Sequence, residues 1–236
     1  MKELEDYSWF PPIFRQYQMD YIGFMVNTFG VYKPLVNYIT LHKNTPTLYD
    51  LCSGAGKPSI AIFKANKCFN NLILSDKFPQ NIPYESNVLY NLNSVDVLHL
   101  KFEPQYTYTM LNAFHHFNAL EKKQIVDNML QANANAYIAE ILQPNILTFF
   151  KILLATTLGT LLFTPFIKPF SLKRIFFTYI VPINIITIAF DGLVSVLKSN
   201  TKAQFDTMFK DKNVNTIILK NPMTTLVVLH IKANNA

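Results

Sequence analysis

The residues that could do chemistry begin with a glycine loop at the end of an apolar run. Residues 48–60 read LYDLCSGAGKPSI, so the run carries a carboxylate at Asp50 and then breaks at Gly54 and Gly56. Glycine adopts positive φ and lets the backbone approach a ligand without a Cβ in the way. Pro58 suits the first turn of a helix, whose free N–H groups would face the loop. The segment therefore predicts a ligand-binding turn between a strand and a helix.

Two familiar nucleotide-binding loops fit this segment poorly. A phosphate-binding P-loop needs G-x-x-x-x-G-K-[ST], but Leu51 replaces the first glycine and Pro58 follows Lys57, which leaves no hydroxyl for magnesium. A dinucleotide fingerprint, G-x-G-x-x-G/A, meets Ser59 where glycine or alanine would allow close packing of helix on strand. The P-loop is excluded, and the dinucleotide loop is weakly supported.

A third kind of loop fits better. The run Asp50-Leu51-Cys52-Ser53-Gly54-Ala55-Gly56 resembles motif I of the class I S-adenosylmethionine (SAM)-dependent methyltransferases, commonly written (D/E)-x-G-x-G-x-G, with Cys52 at the first glycine. The resemblance implies that Asp50 orients the loop and the amino group of the cofactor SAM. It also implies that the loop backbone holds the methionine part of SAM, at positions Cys52, Ser53, Gly54 and Gly56.

Further residues match the same family in chain order. Asp76 ends the segment NLILSD, where a ribose-binding carboxylate is expected in this sheet topology. One carboxylate can accept both hydrogen bonds of a vicinal diol. The resemblance implies that Lys77 and Phe78 flank the adenine. The sequence NSVDV is similar to the acidic third motif of the family, in which Asp96 would meet the adenine amino group and Val97 would cap the ring.

A histidine pair supplies the candidate catalytic groups. The sequence MLNAFHH resembles the end of the fourth strand of the family, with Asn112 as a cofactor-binding residue. Methyl transfer from a sulfonium is an in-line displacement, for which proximity supplies much of the rate. A hydroxyl acceptor would also need a base. The candidates are His115, His116, Glu140 and Asp191.

Structural roles stay open for several of these residues. Asp50 could cap a turn, and Asp76 could cap a helix. Cys52 is typical of a small buried filler, since no base is visibly paired with it. No metal is expected at His115 and His116, because adjacent residues on a regular segment point different ways and no third ligand stands near.

The elements that must position these residues alternate between strands and helices. The patterns predict strands at 47–51, 71–75, 106–112 and 136–142, helices at about 58–65, 120–132 and 200–209, and a closing hairpin of 215–220 and 225–232. The hairpin link at 221–224 is short enough to require antiparallel pairing. The alternation predicts a single α/β domain over residues 1–236, with a Rossmann-like, mostly parallel sheet and one reversed strand at an edge. The resemblance implies seven strands.

The N-terminal part is predicted to be helical. Apolar residues recur at helical spacing from Glu3 to about Leu41, and Pro11 and Pro12 are typical of a helix start. The resemblance implies that residues 1–45 form a helical lid over the cofactor. A helix packed on the sheet fits the pattern equally well.

Residues 146–200 form an insertion that is too long for one crossover helix. Its first apolar run approaches the length of a membrane span, and its second run, at 175–190, is broken by Pro182. A transmembrane hairpin is disfavoured, because it would strand Lys151 in lipid at a cost of about 2.5–3.5 kcal/mol. A cap over the carboxyl edge of the sheet, enclosing an apolar substrate, is preferred. A helical pair on a membrane surface or in a dimer interface is the alternative.

Inside the insertion, a new helix is predicted to begin at Asp191, with Asp191 and Gly192 as a cap and a kink. Asp191 is also hypothesised to face the pocket of the methyl acceptor.

Composition narrows the function classes. The net charge of +6 comes from scattered lysines without a basic block, so nucleic acid is unsupported as a partner. Two cysteines and an acidic N-terminus unlike a signal peptide predict a reducing cytosol. The main hypothesis is a cytoplasmic SAM-dependent methyltransferase acting on a small or lipid-like apolar acceptor. The alternatives are a non-catalytic methyltransferase-like binding protein and a protein that associates peripherally with a membrane through residues 146–190. The sequence predicts neither the acceptor atom nor the oligomeric state.

Overall fold

The computed structural model describes residues 2–42, 44–80, 86–222 and 224–233. Seven strands form one sheet at its centre. They are β1 (Thr47–Leu51), β2 (Asn71–Ser75), β3 (Val88–Tyr90), β4 (Tyr106–Leu111), β5 (Asn135–Glu140), β6 (Val214–Lys220) and β7 (Thr225–Ile231). The strand order is β3-β2-β1-β4-β5-β7-β6.

The strand pairing confirms the predicted sheet. The pairs among β1 to β5 are parallel, and β7 runs antiparallel between β5 and β6. The reversed strand therefore lies second from the edge, and β6 is the edge strand. The predicted hairpin link at 221–224 includes Met223, which lies outside the described residues.

The helices flank this sheet and fill the insertion. They are α1 (Pro12–Thr28), α2 (Lys33–Thr40), α3 (Lys57–Ala65), α4 (Ala119–Gln131), α5 (Ile146–Leu154), α6 (Thr160–Phe163), α7 (Leu172–Tyr179), α8 (Ile183–Lys198) and α9 (Lys202–Met208). The predicted start at Pro12 is confirmed. The continuous N-terminal helical pattern is interrupted between α1 and α2, where Gly30 has φ 57°.

Alternating residues of each strand supply two cores, one on each face of the sheet. In β1, Leu48 packs in the core under α3, whereas Tyr49 and Leu51 pack in the core under α4. On the first face α3 contributes Ile62, and on the second α4 contributes Ile125. Burial on both faces explains why the parallel strands are almost continuously apolar in sequence.

The parallel arrangement gathers the polar residues of the sequence motifs at one edge. Parallel strands have their carboxyl ends at the same side of a sheet, and ligands of open α/β sheets bind there. The glycine loop follows β1, Asp76 follows β2, and a 3-10 turn, Phe114–His116, follows β4. Residues far apart in sequence therefore meet at this edge.

The insertion packs beside the same edge. Helix α8 contacts α1, the N-terminal 3-10 turn Leu4–Asp6 and the turn Phe114–His116. Helix α8 is continuous through Asp191, so the predicted new helix start and kink at this position are wrong. A Cβ on Gly192 would lie 3.0 Å from side-chain atoms of Ile152 in α5 and of Thr156 just after it, so the glycine serves the close approach of α5 and α8.

The insertion is polar inside and apolar outside. A stripe of side chains at three- and four-residue spacing is 51–66% exposed, and we call it the outer stripe: Leu147, Phe150, Leu154, Leu158, Leu162 and Phe166. The opposite side of these helices buries Thr156, Thr160 and Thr164, each of which donates a hydrogen bond to the carbonyl oxygen four residues earlier. Amphipathic helices in water have the reverse arrangement.

Among the described residues, one helical stretch is long and apolar enough to cross a membrane, by length and composition alone. It is Ile146–Phe166, with 21 residues, and most of it is not buried. Helices α7 and α8 would be long and apolar enough only together, and they are bent by 76° at the break between them.

We expect Gly192→Val to destabilise the protein by about 1–3 kcal/mol, because its side chain would overpack the contact between α5 and α8. The free energy of unfolding in urea measures the effect. Ile186→Val is the control on the same helix, since Ile186 is exposed and its change should stay within about 0.5 kcal/mol. Equal stability of the two variants would show that the glycine has no packing role.

Candidate functional site

A cavity of about 1640 Å³ lies at the carboxyl edge of the sheet. The glycine loop, α1, the N-terminal turn and the insertion all contribute to its walls. The predicted catalytic residues His115, His116 and Asp191 line it. The predicted cofactor residues that line it are Cys52, Ser53, Gly54, Asp76, Lys77, Asp96, Val97 and Asn112. The other two, Asp50 and Gly56, lie behind its wall.

The glycine loop has the left-handed turns that its sequence predicts. Gly54 has φ 52° and Gly56 has φ 68°. A Cβ on Gly56 would clash with Leu74 of β2, and one on Gly54 would lie 2.8 Å from the sulfur of Met19. Cys52 also has a positive φ of 54°. This left-handed conformation costs a non-glycine residue about 1–2 kcal/mol, so glycine would suit position 52 better than cysteine does.

Asp50 anchors the start of the glycine loop to neighbouring residues. Its carboxylate is buried, and the Thr109 hydroxyl donates to it at 2.6 Å. The hydroxyls of Ser53 and Ser75 donate to the Asp50 carbonyl oxygen at 3.0 and 2.9 Å. Burial raises the pKa of Asp50 to about 6. These contacts fix the direction in which the chain leaves β1.

Asp76 joins the ends of β1 and β2. Its two carboxylate oxygens accept hydrogen bonds from the backbone N–H groups of Gly54 and Phe78, each at 2.8 Å. Burial raises the pKa of the Asp76 carboxyl. The Tyr90 hydroxyl donates to the Gly54 carbonyl oxygen at 2.8 Å. The carboxylate is therefore fixed in place beside the glycine loop, at the cavity wall.

The next part of the wall combines aromatic and charged groups. Lys77 forms an ion pair with Asp96 at 3.0 Å. Partial burial works against the charge of Asp96, but the hydrogen bond from Lys77 lowers its pKa. Val97 is buried beside this pair, and the guanidinium of Arg15 lies 4.7 Å from the ring centroid of Phe78. A flat apolar group between charged edges would suit this region.

The histidine pair follows the end of β4, where Asn112 has φ 51° and turns the chain. His115 Nδ1 lies 2.7 Å from a carboxylate oxygen of Glu140, whose other oxygen accepts the Phe114 N–H. His116 Nδ1 lies 3.0 Å from a carboxylate oxygen of Asp6. The ring centroids are 4.6 Å apart with planes tilted by 30°. The expectation that the two side chains point different ways is therefore wrong.

Sequence reasoning missed the contribution of the N-terminal segment. Glu3 is buried and accepts from the Ser195 hydroxyl at 2.9 Å and from the Lys198 ammonium at 3.1 Å. Burial raises the pKa of Glu5 to about 7. The closely spaced acidic residues of MKELED were the one sequence signal for this contribution. It could not be interpreted from the sequence, because Asp6 and its partner His116 are 110 residues apart.

The side chains that face His116 determine its charge. Burial opposes protonation, but the hydrogen bond that the ring donates to Asp6 and the nearby charges of Glu3 and Glu5 raise the pKa of His116 to about 9. At neutral pH the ring is therefore mostly protonated in this arrangement.

Asp191 lines the cavity but already has several donors. Its carboxylate accepts from the backbone N–H of Leu4 at 2.5 Å, from that of Glu5 at 3.2 Å and from the Gln18 amide at 3.0 Å. Burial raises the pKa of Asp191 to about 6. In this arrangement Asp191 holds the N-terminal turn against the insertion.

Three comparisons place the architecture among known proteins. No protein-family model matches the chain, and no curated protein matches it significantly in sequence. Solved structures do match. Human N-acetylserotonin methyltransferase in complex with SAM has a TM-score of 0.58 and 11% identity, over 94% of this chain and 56% of that one.

Two further structures are similar. A putative O-methyltransferase from Nostoc punctiforme has a TM-score of 0.52 and 14% identity, over 93% of this chain and 60% of that one. A plantazolicin methyltransferase, in complex with a monoazolic desmethylPZN analog and SAH, has a TM-score of 0.52 and 11% identity, over 94% and 88%. The chain thus spans only 56–60% of the first two proteins. Its fold is that of the class I SAM-dependent methyltransferases, as the resemblance implied.

We expect Asp50→Asn to change how stability depends on pH. Because the pKa of Asp50 rises from 3.8 to about 6 on folding, the folded state binds the extra proton between these values. Stability from this group is therefore lost as pH rises through that window. The unfolding free energy of the Asn variant relative to wild type should increase by about 1–3 kcal/mol between about pH 4 and pH 7. Urea unfolding across this range measures it, and a constant difference would contradict the burial penalty at Asp50.

Proposed function

We propose that this chain, with its class I methyltransferase fold, binds SAM at the carboxyl edge of the sheet and transfers its methyl group to an apolar acceptor. The observation that carries the proposal is the junction of Gly54 and Asp76, where a left-handed glycine loop and a fixed carboxylate meet at the cavity wall. The similar structures crystallised with SAM or SAH support the choice of cofactor.

The cavity wall offers groups for each part of the cofactor. The loop between Cys52 and Gly56, at the start of α3, would lie against the methionine part of the cofactor, while the N–H groups of Ser53, Gly54 and Gly56 keep their present acceptors within the protein. The Asp76 carboxylate has lone pairs left for the two ribose hydroxyls. The adenine would lie near Phe78 and Val97, with Asp96 at its amino group. All of these positions face one cavity.

The transfer step needs little from the protein beyond orientation. A lone pair of the acceptor attacks the methyl carbon, and the carbon–sulfur bond breaks as its electron pair returns to sulfur, leaving a thioether. A hydroxyl acceptor must also lose its proton. His115, His116 and Asp191 remain the proposed catalytic residues, because all three line the cavity. Each would have to exchange a present partner for the acceptor.

The insertion supports a lipid-like acceptor drawn from a bilayer. Its outer stripe is apolar, while its buried side holds threonines. Burial of each large apolar side chain contributes about 1.5–3 kcal/mol, so a stripe left in water is costly. Exposed Lys151, Lys168 and Lys173 lie on the same segment and suit anionic headgroups. We propose that the outer stripe rests in the interfacial region of a membrane and that the protein is a peripheral, cytoplasmic one.

The other face of the insertion connects this surface with the cavity. Thr156 and Ile152 of the insertion line the cavity, and Gly192 lies beside them. An acceptor with an apolar tail would have a short path from lipid to the methyl group. We therefore propose an amphiphile as the acceptor, with its reactive atom toward Asp76 and its tail toward the outer stripe.

We expect wild-type protein to bind SAM in a calorimetric titration, and Asp76→Asn to weaken binding by about ten- to a hundredfold. The substitution removes the charge from hydrogen bonds to the ribose, which contribute about 1.5–3 kcal/mol. Asp206→Asn is the control, because this carboxylate is exposed and pairs with Lys202, and neither residue lines the cavity. Absent binding, or equal binding by both variants, would contradict the proposed cofactor site.

Catalysis is tested separately, with SAM carrying a labelled methyl group and lipids that co-purify with the protein. We expect label to appear in an amphiphile together with the thioether product. Tight SAM binding without transfer to any co-purified compound would favour the non-catalytic binding protein.

We expect the protein to sediment with phosphatidylcholine vesicles containing phosphatidylserine. The double variant Leu158→Asp/Leu162→Asp should lose more than about tenfold of this binding, because carboxylates replace apolar groups of the outer stripe. Leu120→Asp, at an exposed position of α4, is the matched control and should bind as wild type does. If the wild-type protein does not bind vesicles but forms a dimer that the double variant disrupts, the outer stripe is instead a protein interface.

A further inference from the structure

Three side chains from two distant segments converge beside the cavity. Glu3, His115 and His116 each present a ligand atom, and these atoms lie within 4.8 Å of one another. His115 Nε2 is 3.8 Å from one carboxylate oxygen of Glu3, and His116 Nε2 is 3.5 Å from the other. A tetrahedral zinc ion with ligands at 2.0–2.1 Å needs ligand atoms roughly 3.3–3.4 Å apart. The two distances from Glu3 to the rings are within about half an ångström of this spacing, and any pair at the 4.8 Å limit would have to close by roughly 1.5 Å.

The other nitrogen of each ring is also engaged in the way that metal-binding histidines are. His115 Nδ1 meets Glu140 at 2.7 Å, and His116 Nδ1 meets Asp6 at 3.0 Å. A carboxylate on Nδ1 keeps a proton there and orients the ring, so a cation that displaces the Nε2 proton would take that nitrogen as its ligand. Both Nε2 atoms face the same carboxylate of Glu3. Two histidines with this arrangement and a shared acidic ligand are typical of a divalent transition-metal site.

A candidate fourth ligand and a surplus of negative charge favour the same conclusion. A carboxylate oxygen of Glu5 lies 3.6 Å from His116 Nε2. Four carboxylates contact the two rings: Glu3, Glu5, Asp6 and Glu140. The Lys198 ammonium contacts two of them, Glu3 and Asp6. Buried charges need opposite charges nearby, and a divalent cation would supply them.

We infer that Glu3, His115 and His116 form a binding site for a divalent transition metal, with zinc as the best match to its nitrogen and oxygen ligands. With the metal bound, the two histidines would be ligands rather than bases, which leaves Asp191 as the proposed base. The site would fix the N-terminal segment over the cavity, because one ligand comes from that segment and two come from the turn after β4. The inference corrects the sequence-based expectation of no metal, whose premises were divergent histidines and no third ligand.

Lys198 is the natural competitor of the metal. Its ammonium lies 3.1 Å from Glu3 and 3.7 Å from Asp6, so it neutralises part of the charge that would attract the cation. Removing this charge should strengthen metal binding, whereas it would only weaken a purely structural latch of ion pairs. Lys198→Met, which keeps much of the side-chain volume, separates the two roles.

The experiment titrates zinc, against a competing chelator, into full-length protein that carries no affinity tag and no SAM. We expect one zinc ion per chain. Glu3→Gln and His116→Asn should each weaken binding by at least about tenfold, and Lys198→Met should tighten it roughly tenfold. His99→Asn is the matched control, since this exposed histidine lies outside the site.

Cobalt substitution supplies an independent readout, because Co²⁺ bound to few nitrogen and oxygen ligands gives intense ligand-field bands. These bands should appear in wild type and be lost in His116→Asn. The inference is overturned if zinc fails to bind, if Glu3→Gln and His116→Asn bind it as tightly as His99→Asn does, or if Lys198→Met binds it no better than wild type. All readouts are independent of SAM, so failure here leaves the proposed methyl transfer standing.

Discussion

The hydrogen bond from the Gly54 N–H to the Asp76 carboxylate is the interaction on which the site depends. It joins the chain leaving β1 to the chain leaving β2, and it can form only because these neighbouring strands are parallel and in register. Asp50 fixes the other side of the loop through Thr109 on β4. Three adjacent strands therefore determine where a nucleoside would lie, and the two cores of the sheet keep those strands in place.

A second set of polar contacts holds the N-terminal turn and the insertion over the site. Asp191 of the insertion accepts hydrogen bonds from the N-terminal turn, and Glu3 in that turn reaches the histidine pair after β4. The insertion directs its polar side chains inward to make these contacts, which leaves its apolar side chains outside. The insertion thus covers the cavity with α8 and exposes the outer stripe on the helices that precede α8. A bilayer would stabilise the same arrangement from the other side.

Much of the fold could be predicted from the sequence because its strands are buried on both faces and end at recognisable residues. The segment 47–51 and the closing hairpin are examples. The three-residue strand Val88–Tyr90 was too short to show a period. Asp191 and Gly192 suggested a helix start, but packing against α5 overrides the local preference.

The site itself was predicted only where sequence motifs are local. The glycine loop and Asp76 were found because strand ends precede them. The partners of the histidine pair were missed, since Asp6 and His116 are 110 residues apart and no spacing rule connects them. The inverted polarity of the insertion was also hidden, because length and composition do not say which side of a helix faces the protein.

The most direct measurement is a crystal structure of the full chain grown with SAM. We expect density for the nucleoside at the carboxyl edge, with both ribose hydroxyls on Asp76 and the methionine part against the loop between Cys52 and Gly56. Density for SAM elsewhere, or crystals with those two positions free of ligand at saturating SAM, would contradict the proposed cofactor site.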